Sequence, residues 1–167
     1  MFLWRVVIIS IKINLEINRE IRDKELELKI IGFKPLIRIF GKIKFQNLGL
    51  PEDALIDTGA HISLIPLQLW KDLDVRIITQ HHMGGVVPEK SILVNVGYIK
   101  AKIVDEEENS TEEIEFLSYL ALTSKVPLIL GMRDLLENFD FHILFSQDKA
   151  YFLFSQDKAY LEEIDND

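Results

Sequence analysis

Between Ala54 and Pro66 the chain reads Ala-Leu-Ile-Asp-Thr-Gly-Ala-His-Ile-Ser-Leu-Ile-Pro, and no other stretch restricts its fold as strongly. An apolar run (Ala54, Leu55, Ile56) delivers one carboxylate, Asp57, into a turn at Gly59, and a second apolar run (Ile62, Leu64, Ile65) leaves it. That pattern predicts a strand, a tight turn and a strand. A carboxylate placed where apolar walls converge is costly unless it is hydrogen-bonded, paired or used in chemistry. On this stretch alone, a turn aspartate with no further role stays open.

Two further segments narrow the choice. Val126-Pro127-Leu128-Ile129-Leu130-Gly131 is an apolar run ending in glycine, followed by Arg133, Asp134, Leu135 and Leu136, and Met83-Gly84-Gly85-Val86 lies between it and the first motif. Asp57, Thr58, Gly59 and Ala60, with Ser63 shortly after, resemble the active-site loop of the retropepsin-like aspartic proteases. The second motif resembles that family's apolar-apolar-glycine segment with the short helix after it, and Met83 to Val86 resembles the glycine-rich tip of its flap. The three motifs stand in the family's order and the resemblance covers roughly residues 35 to 154. It implies a mainly β, single-domain acid protease fold, with closed, barrel-like sheets and one or two short helices, assembled as a two-fold homodimer.

The chain holds one Asp-Thr-Gly and no Asp-Ser-Gly. Peptide hydrolysis by this chemistry takes two carboxylates about 3 Å apart that share one proton, because both cannot ionise. A chain with one such aspartate must take the other from a second copy, and a two-fold axis puts Asp57 beside its own symmetry mate. By the resemblance, Asp57 is the shared acid and base that activates water, and Thr58 locks the two loops across the axis. Gly59 lets the substrate backbone approach, with Ala60 completing the loop. Ile129, Leu130 and Gly131 pack beneath it, and Met83, Gly84, Gly85 and Val86 close over the cleft. Apolar lining from Ile62, Val86, Val87 and Leu130 implies a peptide or protein substrate cut between apolar residues, with no metal and no organic cofactor. Two positions depart from the family. Its arginine directly after the glycine is replaced by Met132, with Arg133 one place later, and the aspartate that this arginine pairs with is replaced by His61. The brace is therefore missing or rebuilt, for instance as Arg133 with Asp134, and His61 is a candidate for substrate choice or a solvated turn residue. The rival reading is a catalytically silent module of the same fold that dimerises or binds peptides.

Composition removes other classes. The 167 residues are 48% hydrophobic, enough for one ordinary core, and no linker divides them. We read an N-terminal β extension over 1–32, the protease-like domain over 33–154 and a tail over 155–167. Net charge is −8, with no basic patch or interleaved aromatic stripe, so nucleic acid is not an expected partner. Without cysteine there is neither disulfide nor thiolate chemistry. The apolar start, Met1 to Ile11, stops at Lys12, short of the about 20 residues a bilayer-spanning helix needs. No stable membrane span is expected, and a cytoplasmic location is, ahead of membrane association or export.

Along the chain, Ile11, Ile13, Leu15 and Ile17, then Leu26 and Leu28, predict two amphipathic strands joined by a charged turn. Ile37, Ile39, Ile43 and Phe45 keep one parity, giving a single strand with Gly41 at a possible bulge that braces Asp57 from behind. Leu69, Trp70 and Leu73 have helical spacing, with Trp70 as core. Adjacent His81 and His82 point to opposite faces of an extended strand and so do not share a metal. A parity slip from Tyr98 to Ile99 suggests a bulge near Gly97, and the run from Asp105 to Glu113 reads as a solvated loop. The octapeptide Leu-Phe-Ser-Gln-Asp-Lys-Ala-Tyr starts at Leu144 and again at Leu153. That odd period flips faces along a strand, so equivalent roles require both Ser146–Lys149 and Ser155–Lys158 to be turns.

Overall fold

Period-two alternation dominates the sequence, and strands dominate the computed structural model, which describes residues 2–84 and 91–163. The described residues form β1 (Phe2–Ile21), α1 (Lys24–Lys29), β2 (Leu36–Phe45), β3 (Glu52–Ile56), β4 (Ser63–Ile65), α2 (Leu67–Trp70), β5 (Arg76–Met83), β6 (Ile92–Val104), β7 (Ile114–Ala121), β8 (Ile129–Leu130), β9 (Asp140–Leu144) and β10 (Lys149–Glu163). The strand order is β5-β6-β7-β4-β8-β3-β2-β1-β10-β9, and a further pairing of β6 with β2 closes six strands into a ring. A ring is not the expected barrel. Two of its members, β4 and β8, have three and two residues, too short to make a continuous wall.

β1 changes partners along its length. Phe2 to Leu15 pair with β10, and Glu16 to Ile21 pair with β2. Ile13 is fully buried beside Ile43, Phe45, Phe116 and Phe152 in the main core, so the N-terminal strand adds to that core directly. Burial of one such side chain stabilises by about 1.5–3 kcal/mol. α2 buries Leu69 and Trp70, and the Trp70 indole N–H donates to the Ala121 carbonyl at 2.8 Å. This core role is the one expected for Trp70.

Several local expectations are corrected. The second strand of the N-terminal hairpin is the helix α1, because Asp23 caps it by accepting from the Glu25 and Leu26 N–H groups. Glu25 in its first turn also pairs with Lys29 in its last. β2 passes Gly41 without a register shift against β3. A Cβ at Gly41 would lie 3.1 Å from both Ile56 and Leu15, so close packing rather than a bulge accounts for this glycine. The bulge expected near Gly97 lies instead on the neighbouring strand β5, where the register slips between Ile77 and Thr79. Gly97 faces it so closely that a Cβ would meet the Arg76 carbonyl at 2.7 Å.

The two identical octapeptides adopt different structures. In the first copy Phe145–Gln147 form a 3-10 turn, Asp148 takes φ 50°, and Leu144 pairs with Lys149 across the hairpin. The second copy is not a turn. It continues β10, with Phe154 opposite Ile11 and Ser155 opposite Ser10. The long partner strand supplies backbone pairing along that whole segment, and tertiary pairing overrides the local turn preference. Phe145 is half exposed, whereas its counterpart Phe154 is buried.

The acidic run also differs from a freely solvated loop at its first residue. Asp105 is buried and accepts from the Asn14 backbone and side chain at 2.9 and 3.1 Å, from the Glu107 N–H at 3.0 Å, and from the Asn109 backbone and side chain at 2.9 Å each. Burial pushes its carboxyl pKa up, but these donors outweigh it and the net shift is downward from 3.8. A depressed carboxylate stabilises the fold above its unfolded pKa, and that contribution is lost as pH falls through the folded value. Asp105→Ala orphans several donors and is expected to cost about 2 kcal/mol at neutral pH. Thermal melting should show that deficit shrinking below the ordinary value of 3.8.

Candidate active site

Asp57 is the first residue after β3, and its position follows from the apolar residues on either side. Ala54 and Ile56 are buried, and β8 lies between β3 and β4, parallel to the first and antiparallel to the second. The backbone from 57 to 62 therefore has to cross over the end of β8. Two contacts hold it from within, the Ala60 N–H donating to the Asp57 carbonyl at 3.1 Å and the Gly59 N–H donating to Asp57 Oδ1 at 2.9 Å, and the Asp57 N–H donates to the Leu130 carbonyl of the second motif at 3.1 Å. Three more come from the second motif. The Met132 and Arg133 N–H groups donate to the carbonyls of Ala60 and His61, each at 2.9 Å, and the Gly131 N–H donates to the buried Ser63 hydroxyl at 2.9 Å.

Gly131 explains why the apolar run must end in glycine. A Cβ there would lie 2.7 Å from the Ile62 carbonyl carbon and 2.9 Å from the Ala60 and Ile62 carbonyl oxygens. The constraint is contact distance rather than backbone conformation.

The structure thus brings Asp57, Thr58, Gly59, Ala60, His61 and Ile62 together with Ile129, Leu130 and Gly131. Asp57, Ala60 and Ile62 are half-buried, while Thr58, Gly59 and His61 are exposed. Leu130 is fully buried in the main core and lines no open cleft, which corrects its expected place in the lining. Ile129 points the other way. It joins a second apolar cluster of Leu64, Val94 and Ala121, together with Met83, Ile92 and Tyr119. Met83 and the exposed Gly84 end the described arm of the hairpin, and Gly85, Val86 and Val87 lie outside the described residues. His81 stacks on Tyr119 at 5.8 Å between ring centres.

The suggested replacement brace is weak. Arg133 Nε stands 3.9 Å from Asp134 Oδ2 with both side chains partly solvated, an ion pair worth little in water. Asp134 is held instead by local bonds at φ 61°: its N–H donates to Glu137 Oε1 at 2.6 Å and its carbonyl accepts from Asn138 Nδ2 at 2.7 Å. Two clefts lie away from Asp57. One, of about 430 Å³, is lined by Glu16, Lys42, Asp53, Asp105 and Asp148 among others, and the other, of about 600 Å³, runs along Lys44 to Pro51. In the first, the hydrogen bond that Lys42 Nζ donates to Asp53 Oδ1 at 2.8 Å holds the ammonium above the usual lysine value.

Two supporting roles go beyond the sequence expectations. Ser63 belongs to the motif, but its bond to Gly131 has no local signature. Asp105 sits in a run expected to be solvated, although an aspartate followed two and four residues later by backbone donors has the pattern of a side chain that organises its own turn.

No known sequence family matches the chain, and no curated protein sequence matches it. Among solved structures it is similar to a retropepsin-like aspartic protease from Rickettsia conorii, at 15% identity and a TM-score of 0.49, over 95% of this chain and 100% of that one.

Proposed function

We propose that the protein is an aspartic-type endopeptidase of the retropepsin-like class, working as a homodimer in which Asp57 of each copy faces the other. One observation carries this reading: a lone carboxylate on an Asp-Thr-Gly turn, with one oxygen fixed by the Gly59 N–H and the turn bonded by the Gly131 to Arg133 backbone. Such a loop is rigid before substrate arrives, as a positioned acid or base must be. With two copies, one protonated and one ionised Asp57 would share a proton. The ionised carboxylate would take a proton from water as the water oxygen bonds to the scissile carbonyl carbon, and the protonated one would donate to the carbonyl oxygen. Collapse of the tetrahedral species breaks the carbon–nitrogen bond, with a proton passing to the leaving amine. The half-buried Ile62, Met83 and Ile129 suit apolar side chains on either side of the cut.

A silent dimerisation or peptide-binding module is the second reading, and the weak Arg133–Asp134 contact favours it. Sedimentation at micromolar concentration, with and without a statine-containing peptide, tests the assembly that the proposed chemistry requires. A dimer tightened by the peptide is expected. A strict monomer in both conditions contradicts the enzyme, because one Asp57 cannot divide the two proton roles.

A further inference from the structure

The turn after α1 is apolar, cationic and exposed in a chain whose net charge is −8. Leu28, Ile30, Ile31, Leu36 and Ile37 are all exposed, Ile31 completely and Leu28 at 89%. They fall within ten consecutive residues. The bend that carries them is defined by the Phe33 N–H donating to the Ile30 carbonyl at 3.2 Å and by Gly32 at φ 75°. From Lys29 to Arg38 there are three cations, Lys29, Lys34 and Arg38, and no anion, against −8 for the whole chain. The nearby acids of α1 are engaged: Glu27 pairs with Arg22, and Glu25 pairs with Lys29.

We propose that this turn docks the protein onto an anionic phospholipid surface. Ile30 and Ile31 enter the boundary between head groups and acyl chains, and Lys34 and Arg38 meet the lipid phosphates. Two observations favour a lipid surface over a second protein. A stable protein interface takes about 20–30 residues a side, and a patch resting on five apolar side chains falls well short of that. Apolar side chains flanked by cations also match the paired hydrophobic and electrostatic attractions by which peripheral segments bind anionic bilayers. The acidic remainder of the molecule is repelled by the same surface, so contact is confined to this turn. No helix among the described residues is long and apolar enough to cross a membrane, and docking by a turn requires none.

Flotation of the full chain with phosphatidylcholine vesicles, with and without phosphatidylglycerol, tests the proposal. Wild type should float with the anionic vesicles only, and added salt should release it. Ile30→Ser combined with Ile31→Ser should lower partitioning by about tenfold, and Lys34→Gln combined with Arg38→Gln by a similar factor. All four residues are exposed, so melting should be unchanged in both variants. Three outcomes would overturn the proposal: no flotation, flotation indifferent to these substitutions, or a self-association that Ile31→Ser abolishes without any vesicle binding. None of them depends on whether Asp57 is catalytic.

Discussion

Gly131→Ala is expected to lower stability by roughly 3 kcal/mol, the upper end of the range for overpacking a tight interior. The added Cβ would lie 2.7 Å from the Ile62 carbonyl carbon and 2.9 Å from two carbonyl oxygens, and all three belong to backbone that no rotamer change can move aside. Relief requires the 57–62 turn to lift off β8. That movement would break the bonds from Gly131 to Ser63, from Met132 to Ala60 and from Arg133 to His61. The loss should therefore appear twice, as a lower melting temperature and as faster hydrogen exchange at those three amides. Ser63→Ala removes only the acceptor for the Gly131 N–H and should cost less, about 1–3 kcal/mol. A Gly131→Ala protein that melts with wild type would mean that the turn is not seated on β8 as described.

Asp57→Asn should abolish peptide hydrolysis while leaving the fold in place. Asparagine keeps the volume and retains an oxygen to accept from the Gly59 N–H, so the 2.9 Å contact that shapes the turn can persist. What is removed is the ionisable group. A positioned acid or base contributes about 10²–10⁴-fold, and removing a group that works as part of a unit costs more than its share. Because the dimer would carry the substitution in both copies, activity should fall below detection. Melting and sedimentation should match wild type, which separates loss of chemistry from loss of structure.

The parts of this architecture that show in the sequence are those with a local signature. The strand–turn–strand around Asp57 is written in its apolar runs and its glycine, and the core role of Trp70 follows from spacing alone. Apart from α1, whose deciding contacts are local, the missed features depend on partners far away in the chain. Leu26 and Leu28 alternate like a strand, but the Asp23 cap and the Glu25–Lys29 pair decide for a helix. The octapeptide at Leu144 and Leu153 cannot announce two structures, since its eight residues are the same. Only the register of β10 against β1 distinguishes them. Asp105 looks solvated among its acidic neighbours until Asn14, 91 positions earlier, is brought against it. Within the candidate site, alternation along β8 sends Leu130 into the main core and leaves Ile129 on the other face, a choice the dipeptide alone leaves open.

The central claim is that a pair of Asp57 carboxylates shares one proton and cuts peptide bonds. Its most direct test is cleavage of a diverse peptide library by wild type and Asp57→Asn, from about pH 3 to 8, with the cut sites read by mass spectrometry. The account predicts cuts between apolar residues by wild type alone, with a bell-shaped pH dependence whose two limbs belong to the carboxylate pair rather than to either residue. Cuts made equally by both proteins, or by neither at any pH, would contradict it.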